Sequence, residues 1–231
     1  MPVNVVGPNH NMKPKRTSWV LCGIVLAVSC RITVATLIQE PFADDDGGWR
    51  ATGVDAFLYD VGLGALRAEM TDSGLFPKFG AFTADSSSSD GNLTGDYLLM
   101  GAEEVTVQSV RFDFRSTVVA PSSLSLVLSG AGHHCLYSFA VDDSIDVWKT
   151  YEAALIWDQG WSGGTAQDFS AMLRAVDHIQ VQFTSQGQMD QAYLLDDFTL
   201  VPEPGTTALM LLGGFLTLAR GWMMRRRSFS A

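Results

Sequence analysis

The residues able to do chemistry are few in this chain, and their spacing narrows what they can do. Asp44-Asp45-Asp46-Gly47-Gly48 gathers three carboxylates, but it lacks the alternate spacing and distal Glu of an EF-hand loop and reads as a solvated turn. His133-His134-Cys135 holds zinc-type donors, yet neighbouring residues of a strand point to opposite faces and do not easily share one ion. His178 is alone at an expected helix–strand junction and reads as structural. No Gly-x-Ser-x-Gly, His-Glu-x-x-His or phosphate loop is present, so the expectation is a protein that is not an enzyme. The tryptophans offer different chemistry, because sugar rings stack on exposed aromatic faces. Trp148 and Trp161 have core-like spacing, whereas Trp157, beside Asp158 and Gln159, is the expected exposed ring and candidate ligand contact.

Charge placement constrains the partners. The chain has 231 residues, 47% hydrophobic and 17% charged, which excludes a disordered chain and a multi-span membrane protein. All 25 acidic residues fall between Glu40 and Glu203. Residues 36–201 hold 24 acidic against seven basic residues, a net charge of −17 between two small cationic ends. Such a surface repels phosphate backbones, so nucleic acid is not an expected partner. It suits divalent cations and solubility. About 166 residues are enough for one well-buried core. Cys22 and Cys30 fall in the N-terminal segment and leave Cys135 as the lone thiol of the middle. That excludes an intramolecular disulfide there, and Cys135 reads as a buried small hydrophobe.

The elements that must position these residues begin with the two ends. Lys13, Lys15 and Arg16 precede an apolar stretch from Trp19 to Val28 and a small-residue site at Thr33-Val34-Ala35. Residues 1–35 therefore read as a secretory signal, with Met12 an alternative start and Cys30 an alternative lipidation site. At the other end, Val201-Pro202-Glu203-Pro204 leads into an apolar segment, 205–224, and then Arg225-Arg226-Arg227. About 20 residues at ~1.5 Å rise cross a ~30 Å hydrocarbon core. The arginines stay cytoplasmic by the positive-inside rule, and Arg220 snorkels to join them. This order resembles the PEP-CTERM sorting signal of bacterial exopolysaccharide-associated proteins. The resemblance covers residues 201–231 and implies recognition of Pro202, Glu203 and Pro204 by an exosortase-type processing enzyme. It also implies a membrane partner, at least transiently, and an exported protein of the cell surface or matrix.

Between the ends, period-two alternation dominates. Val110, Phe112 and Phe114 alternate with Arg111, Asp113 and Arg115; Leu124, Leu126 and Leu128 repeat the pattern, as do Ile179, Val181 and Phe183. Turn-rich pieces separate them, which predicts a mostly β antiparallel sandwich or jelly roll. One short helix is expected after Thr165-Ala166-Gln167-Asp168, a capping-box pattern, ending near His178.

The run Trp148-x-x-Tyr151…Leu155…Trp161…Phe169-x-x-x-Leu173-x-x-Val176-x-x-Ile179-x-Val181, closing in Leu195-Asp196-Asp197-Phe198, resembles a laminin-B module. Such modules are similar to galactose-binding-like jelly rolls, which include many carbohydrate-binding modules. The resemblance spans residues 36–200 and implies a structural Ca²⁺ between first and last strands. Glu40 and Asp196 are the implied ligands, with Asp197 as alternative. The expected function is a non-catalytic binding or adhesion module associated with extracellular polysaccharide. The alternatives are a glycan-directed hydrolase or its accessory domain, and a self-associating structural surface protein.

Overall fold

The computed structural model describes residues 38–72, 74, 76–100, 106–187 and 189–203. The expected signal segment, Cys30, Pro204, the apolar span 205–224 and Arg225, Arg226 and Arg227 lie outside the described residues. Among the described residues, no helix is long and apolar enough to cross a membrane.

Alternating apolar and polar side chains build the strands, because successive side chains point to opposite faces. They are β1 (Ile38–Glu40), β2 (Arg50–Thr52), β3 (Ala56–Asp60), β4 (Ala65–Met70), β5 (Phe79–Asp85), β6 (Val107–Ser116), β7 (Ser123–Gly130), β8 (His133–Phe139), β9 (Lys149–Ala154), β10 (Trp161–Ser162), β11 (Val176–Thr184) and β12 (Gln191–Pro202). One sheet runs β3-β4-β12-β6-β9, with β1 also paired to β12; the other runs β10-β8-β7-β11-β5-β2. The two antiparallel sheets form the expected jelly-roll sandwich. Its core is aromatic: Phe82, Phe112, Phe183, Tyr193 and Phe198 are fully buried. Phe183 and Tyr193 meet across the sheets with centroids 4.6 Å apart. Such contacts add stability beyond the area they bury.

The helix α1 (Ala166–Leu173) starts as the sequence implies. Asp168 N–H donates to the Thr165 hydroxyl, and Thr165 N–H donates to the Asp168 carboxylate at 2.9 Å. It ends five residues earlier than expected, with Arg174 as its C-cap, because Val176 is already paired with Gly130 of β7. A Cβ on Gly130 would lie 2.1 Å from the Ala175 carbonyl oxygen, so glycine permits this close turn. Two other expectations are revised. Trp148 is not core: it sits at the edge of the β6–β9 sheet, with the Arg115 guanidinium 5.9 Å above its ring. Phe112, Phe114 and Tyr151 fill the interior in its place. The sandwich also runs into the expected tail, since Pro202 pairs with Val107 and Glu203 N–H donates to the Thr106 carbonyl at 2.8 Å.

Candidate functional site

On β11, Ile179, Val181 and Phe183 enter the core, so His178, Gln180, Gln182 and Thr184 face outward. The ladders set their neighbours. His178 lies opposite Asp85 and Ser129, Gln180 opposite Thr83 and Val127, and Gln182 opposite Ala81 and Ser125. Thr184 lies opposite Phe79 and Ser123, and β8 adds His134 beside Ser129 and Leu136 beside Val127. From His178 to Thr184 the face extends about 20 Å at strand rise. A hollow of about 450 Å³ opens in it, bounded by Ser129 and His134 on one side and by His178, Gln180 and Gln182 on the other.

The polar groups of the hollow are tied into short networks. Gln182 Nε2 donates to Gln180 Oε1 at 2.7 Å, and Gln180 Nε2 meets His178 Nε2 at 3.1 Å. His134 Nδ1 meets the Ser129 hydroxyl at 2.7 Å. The Thr83 hydroxyl, in the row of Gln180, is buried without a partner. At the rim, Arg50 pairs with Asp85 at 3.2 Å. The Ser87 hydroxyl and N–H hold the Asp85 carboxyl below its ordinary range, helped by the nearby charge of Arg50. At the far end Phe79 is 52% exposed and offers a flat apolar plate. Amides, hydroxyls and imidazoles in a hollow, with an aromatic plate on the same face, can hold a hydroxyl-rich ligand by hydrogen bonding and ring contact.

The sequence-predicted residues are placed elsewhere. Trp157 is half-buried and packs on Phe169 of α1 with centroids 5.6 Å apart, so one face of the ring is occupied. Asp196 and Asp197 occupy a bulge of β12 where Asp197 has φ 50°. Asp197 accepts from Gln39 Nε2 at 2.8 Å, and Asp196 accepts from Asp197 N–H at 2.7 Å. Burial, with the charges of Asp197 and Asp113, pushes Asp196 up to about 6. Glu40 follows Gln39 on the strand and so turns the other way. It lines a hollow of about 270 Å³ with Gln39, Ser89 and Asn92. The three expected calcium carboxylates therefore do not converge, and among the described residues no three His, Cys, Asp or Glu side chains gather as a metal group. The residues bearing hard oxygens that do line one space are Gln39, Glu40, Ser89 and Asn92.

His133 turns to Asp168 (3.5 Å) and His134 to Ser129, as adjacent strand residues must. Cys135, next on the strand, is buried in the core, and that burial raises its thiol pKa.

No family model matches this chain, and no curated protein matches it. Among solved structures it is similar to a CBM4 chain, at 16% identity over 70% of this chain and 99% of that one, with a TM-score of 0.42. It is similar to the family 11 carbohydrate-binding module from Clostridium thermocellum in complex with a β-1,3-1,4-mixed-linked tetrasaccharide, at 13% identity, 72% and 87% coverage and a TM-score of 0.39. It is also similar to an exo-β-agarase, at 12% identity over 74% of this chain and 25% of that one, with a TM-score of 0.48.

Sequence reasoning missed Gln180, Gln182 and Phe79. The signal available was that the outward positions of the Ile179-Val181-Phe183 strand carry amides, where a merely solvated face more often carries charges.

Proposed function

We propose that the sandwich is a non-catalytic glycan-binding module that grips a polysaccharide across the outer face of β5, β11, β7 and β8. The observation that carries this reading is the Gln182–Gln180–His178 ladder opening onto a hollow of about 450 Å³. Phe79 on the same face supplies the aromatic contact. A hydrolase would bring two carboxylates to the scissile bond. Among the described residues bounding the hollow there is none, and Asp85 at the rim is engaged with Arg50. The test is retention on insoluble polysaccharides of the protein and of a Gln180→Ala, Gln182→Ala double variant. Two lost hydrogen bonds predict retention at least ~10-fold weaker at an unchanged melting temperature. Unchanged retention would remove the face from consideration.

The delivery of the module belongs to the same proposal. The order Pro202-Glu203-Pro204, apolar span, Arg225-Arg226-Arg227 supports export followed by exosortase-type processing and residence at the cell surface or matrix. Intact mass of the protein recovered from membrane and released fractions decides it. Loss of residues 1–35 and of everything after the Pro202 region supports sorting; a species ending at Ala231 means a permanent anchor.

A structural Ca²⁺ is proposed at Glu40 rather than at Asp196. When bound, the ion would tie the end of β1 at Glu40 to the turn that holds Ser89 and Asn92. An unchanged melting temperature after chelation ends this part of the reading.

A further inference from the structure

Three side chains stand in one file on β11, and only two arrangements of their hydrogen bonds are self-consistent. In the one observed, Gln182 Nε2 donates to Gln180 Oε1 at 2.7 Å, which leaves Gln180 Nε2 facing His178 Nε2 at 3.1 Å. An amide nitrogen only donates, so His178 Nε2 must accept, and the imidazole is neutral with its proton on Nδ1. A protonated imidazole carries N–H on both nitrogens and cannot accept. His178 Nε2–H then requires an oxygen opposite it, and Gln180 meets that by turning its amide over. Gln180 Nε2 in turn faces Gln182, whose amide must turn as well. A proton on His178 Nε2 thus reverses the whole file, and the doubly protonated imidazole permits only the reversed arrangement. The free end at Gln182 changes from showing a carbonyl oxygen to showing an NH₂ group.

We propose that His178 is a specificity-determining residue of the outer face, setting through Gln180 whether Gln182 offers the ligand an acceptor or a donor. This rests on the glycan reading of the face and names the chemistry it selects. With His178 neutral, the file favours the hydroxyl donors of a neutral polysaccharide. With His178 protonated, the NH₂ end and the added positive charge favour a polysaccharide that bears carboxylates. Imidazole is the side chain whose charge ordinarily changes between pH 5 and 8, which sets the range over which the file is tested.

The groups that face His178 are few. Asp85 lies across from it on β5 and is paired with Arg50 of β2; Ser129 lies on β7, with His134 beyond it on β8. Asp177 precedes it in the chain and is exposed. His134 is the rival proton acceptor, engaged with the Ser129 hydroxyl at 2.7 Å. Arg50 hydrogen-bonds Asp85 and Ser87 and is not free to hold a carboxylate.

Two measurements test the proposal, and the first needs no glycan. Side-chain amide signals are followed by nuclear magnetic resonance from pH 8 to pH 5 in the folded protein. The NH₂ signals of Gln182 are expected to shift with the midpoint of the His178 imidazole, although only Gln180 links the two. In Gln180→Met the Gln182 signals stop following, while in His134→Asn they follow as before. A Gln182 amide that stays fixed, or that still follows His178 in Gln180→Met, overturns the proposal, as does a coupling that vanishes in His134→Asn. The second measurement is retention on a neutral β-glucan and on a polyuronate. The ratio of polyuronate to β-glucan retention rises at least ~3-fold from pH 8 to pH 5, and stays flat in His178→Gln. A flat ratio in the unmodified protein overturns the role in selectivity. If neither polymer is retained while the amides titrate together, the glycan reading falls and the ladder's polarity switch stands.

Discussion

The indole of Trp49 and the ring of Phe198 meet with centroids 5.1 Å apart, and Phe42 closes on the indole at 5.6 Å. Trp49 leads into β2 of one sheet and Phe198 lies on β12 of the other, so the contact clamps the two layers. The indole N–H donates to the Ser89 hydroxyl at 3.2 Å, which leaves no polar atom of the ring unsatisfied. Trp49→Ala is expected to cost about 3–5 kcal/mol, the range for emptying a large aromatic site. Urea unfolding should show a lower midpoint with an unchanged slope. A loss below ~1 kcal/mol would show that the sheets are held elsewhere.

Phe79→Ala should weaken polysaccharide binding by about 0.5–1.5 kcal/mol, up to roughly 10-fold, with little effect on folding. Trp157→Ala should do the reverse, because its ring packs on Phe169. Affinity electrophoresis with both variants separates the two surfaces. Binding that fails in Trp157→Ala and survives in Phe79→Ala would move the site to the helix side of the sandwich.

Stability should pass through a maximum on the acid side of neutrality. Asp196 sits at about 6, above the ordinary 3.8. A carboxyl that holds its proton more tightly when folded adds stability at acid pH, and that stability is lost as pH rises through the folded value. Asp55, held by Lys78 and Thr71, and Asp142, held by Ser144 and Lys149, sit at about 2. Their contribution has the opposite sign: it is present above 3.8 and lost as pH falls toward 2. Together they place the maximum between about pH 4 and 5. Asp196→Asn keeps an acceptor for the Asp197 N–H and should flatten the slope between about pH 4 and 6. It should also raise stability at neutral pH by about 1 kcal/mol, a figure reduced for partial exposure. Melting temperatures that climb steadily from pH 4.5 to 7.5 in the unmodified protein would contradict this assignment.

Thr165→Ala removes the acceptor for the Asp168 N–H at 3.2 Å and should cost about 1 kcal/mol. Thr165→Ser restores most of it. Thermal unfolding of the two variants checks the cap; equal melting temperatures would mean that packing alone fixes the start of α1.

The fold was legible because it rests on local patterns. Ile179, Val181 and Phe183 alternate with polar residues and form a central strand, and Thr165 with Asp168 announces the helix start. What alternation alone does not reveal is which polar face will be flanked by others. Gln180 and Gln182 look like ordinary outward residues until β5, β7 and β8 are laid beside them, which is a matter of long-range pairing. Trp148 misled because its spacing from Tyr151 and Leu155 suits the core, but its position opposite the Arg115 row leaves it under a guanidinium. Glu40 and Asp196 are near in the ladder yet turn apart, a distinction that depends on strand phase and on the β12 bulge.

β1 begins opposite Leu200, and β12 ends two residues later at Pro202, so the chain reaches and leaves the sandwich side by side. A pull between those two points bears first on Ile38 against Leu200, then on Gln39 against Thr199, then on Glu40 against Phe198. The rungs open one after another, as in a zip, instead of sharing the load as they would in shear. Mechanically the domain is therefore a poor link in a chain under tension but a sound fob on a cord. Held by one end only, it leaves the rungs between β1 and β12 unloaded.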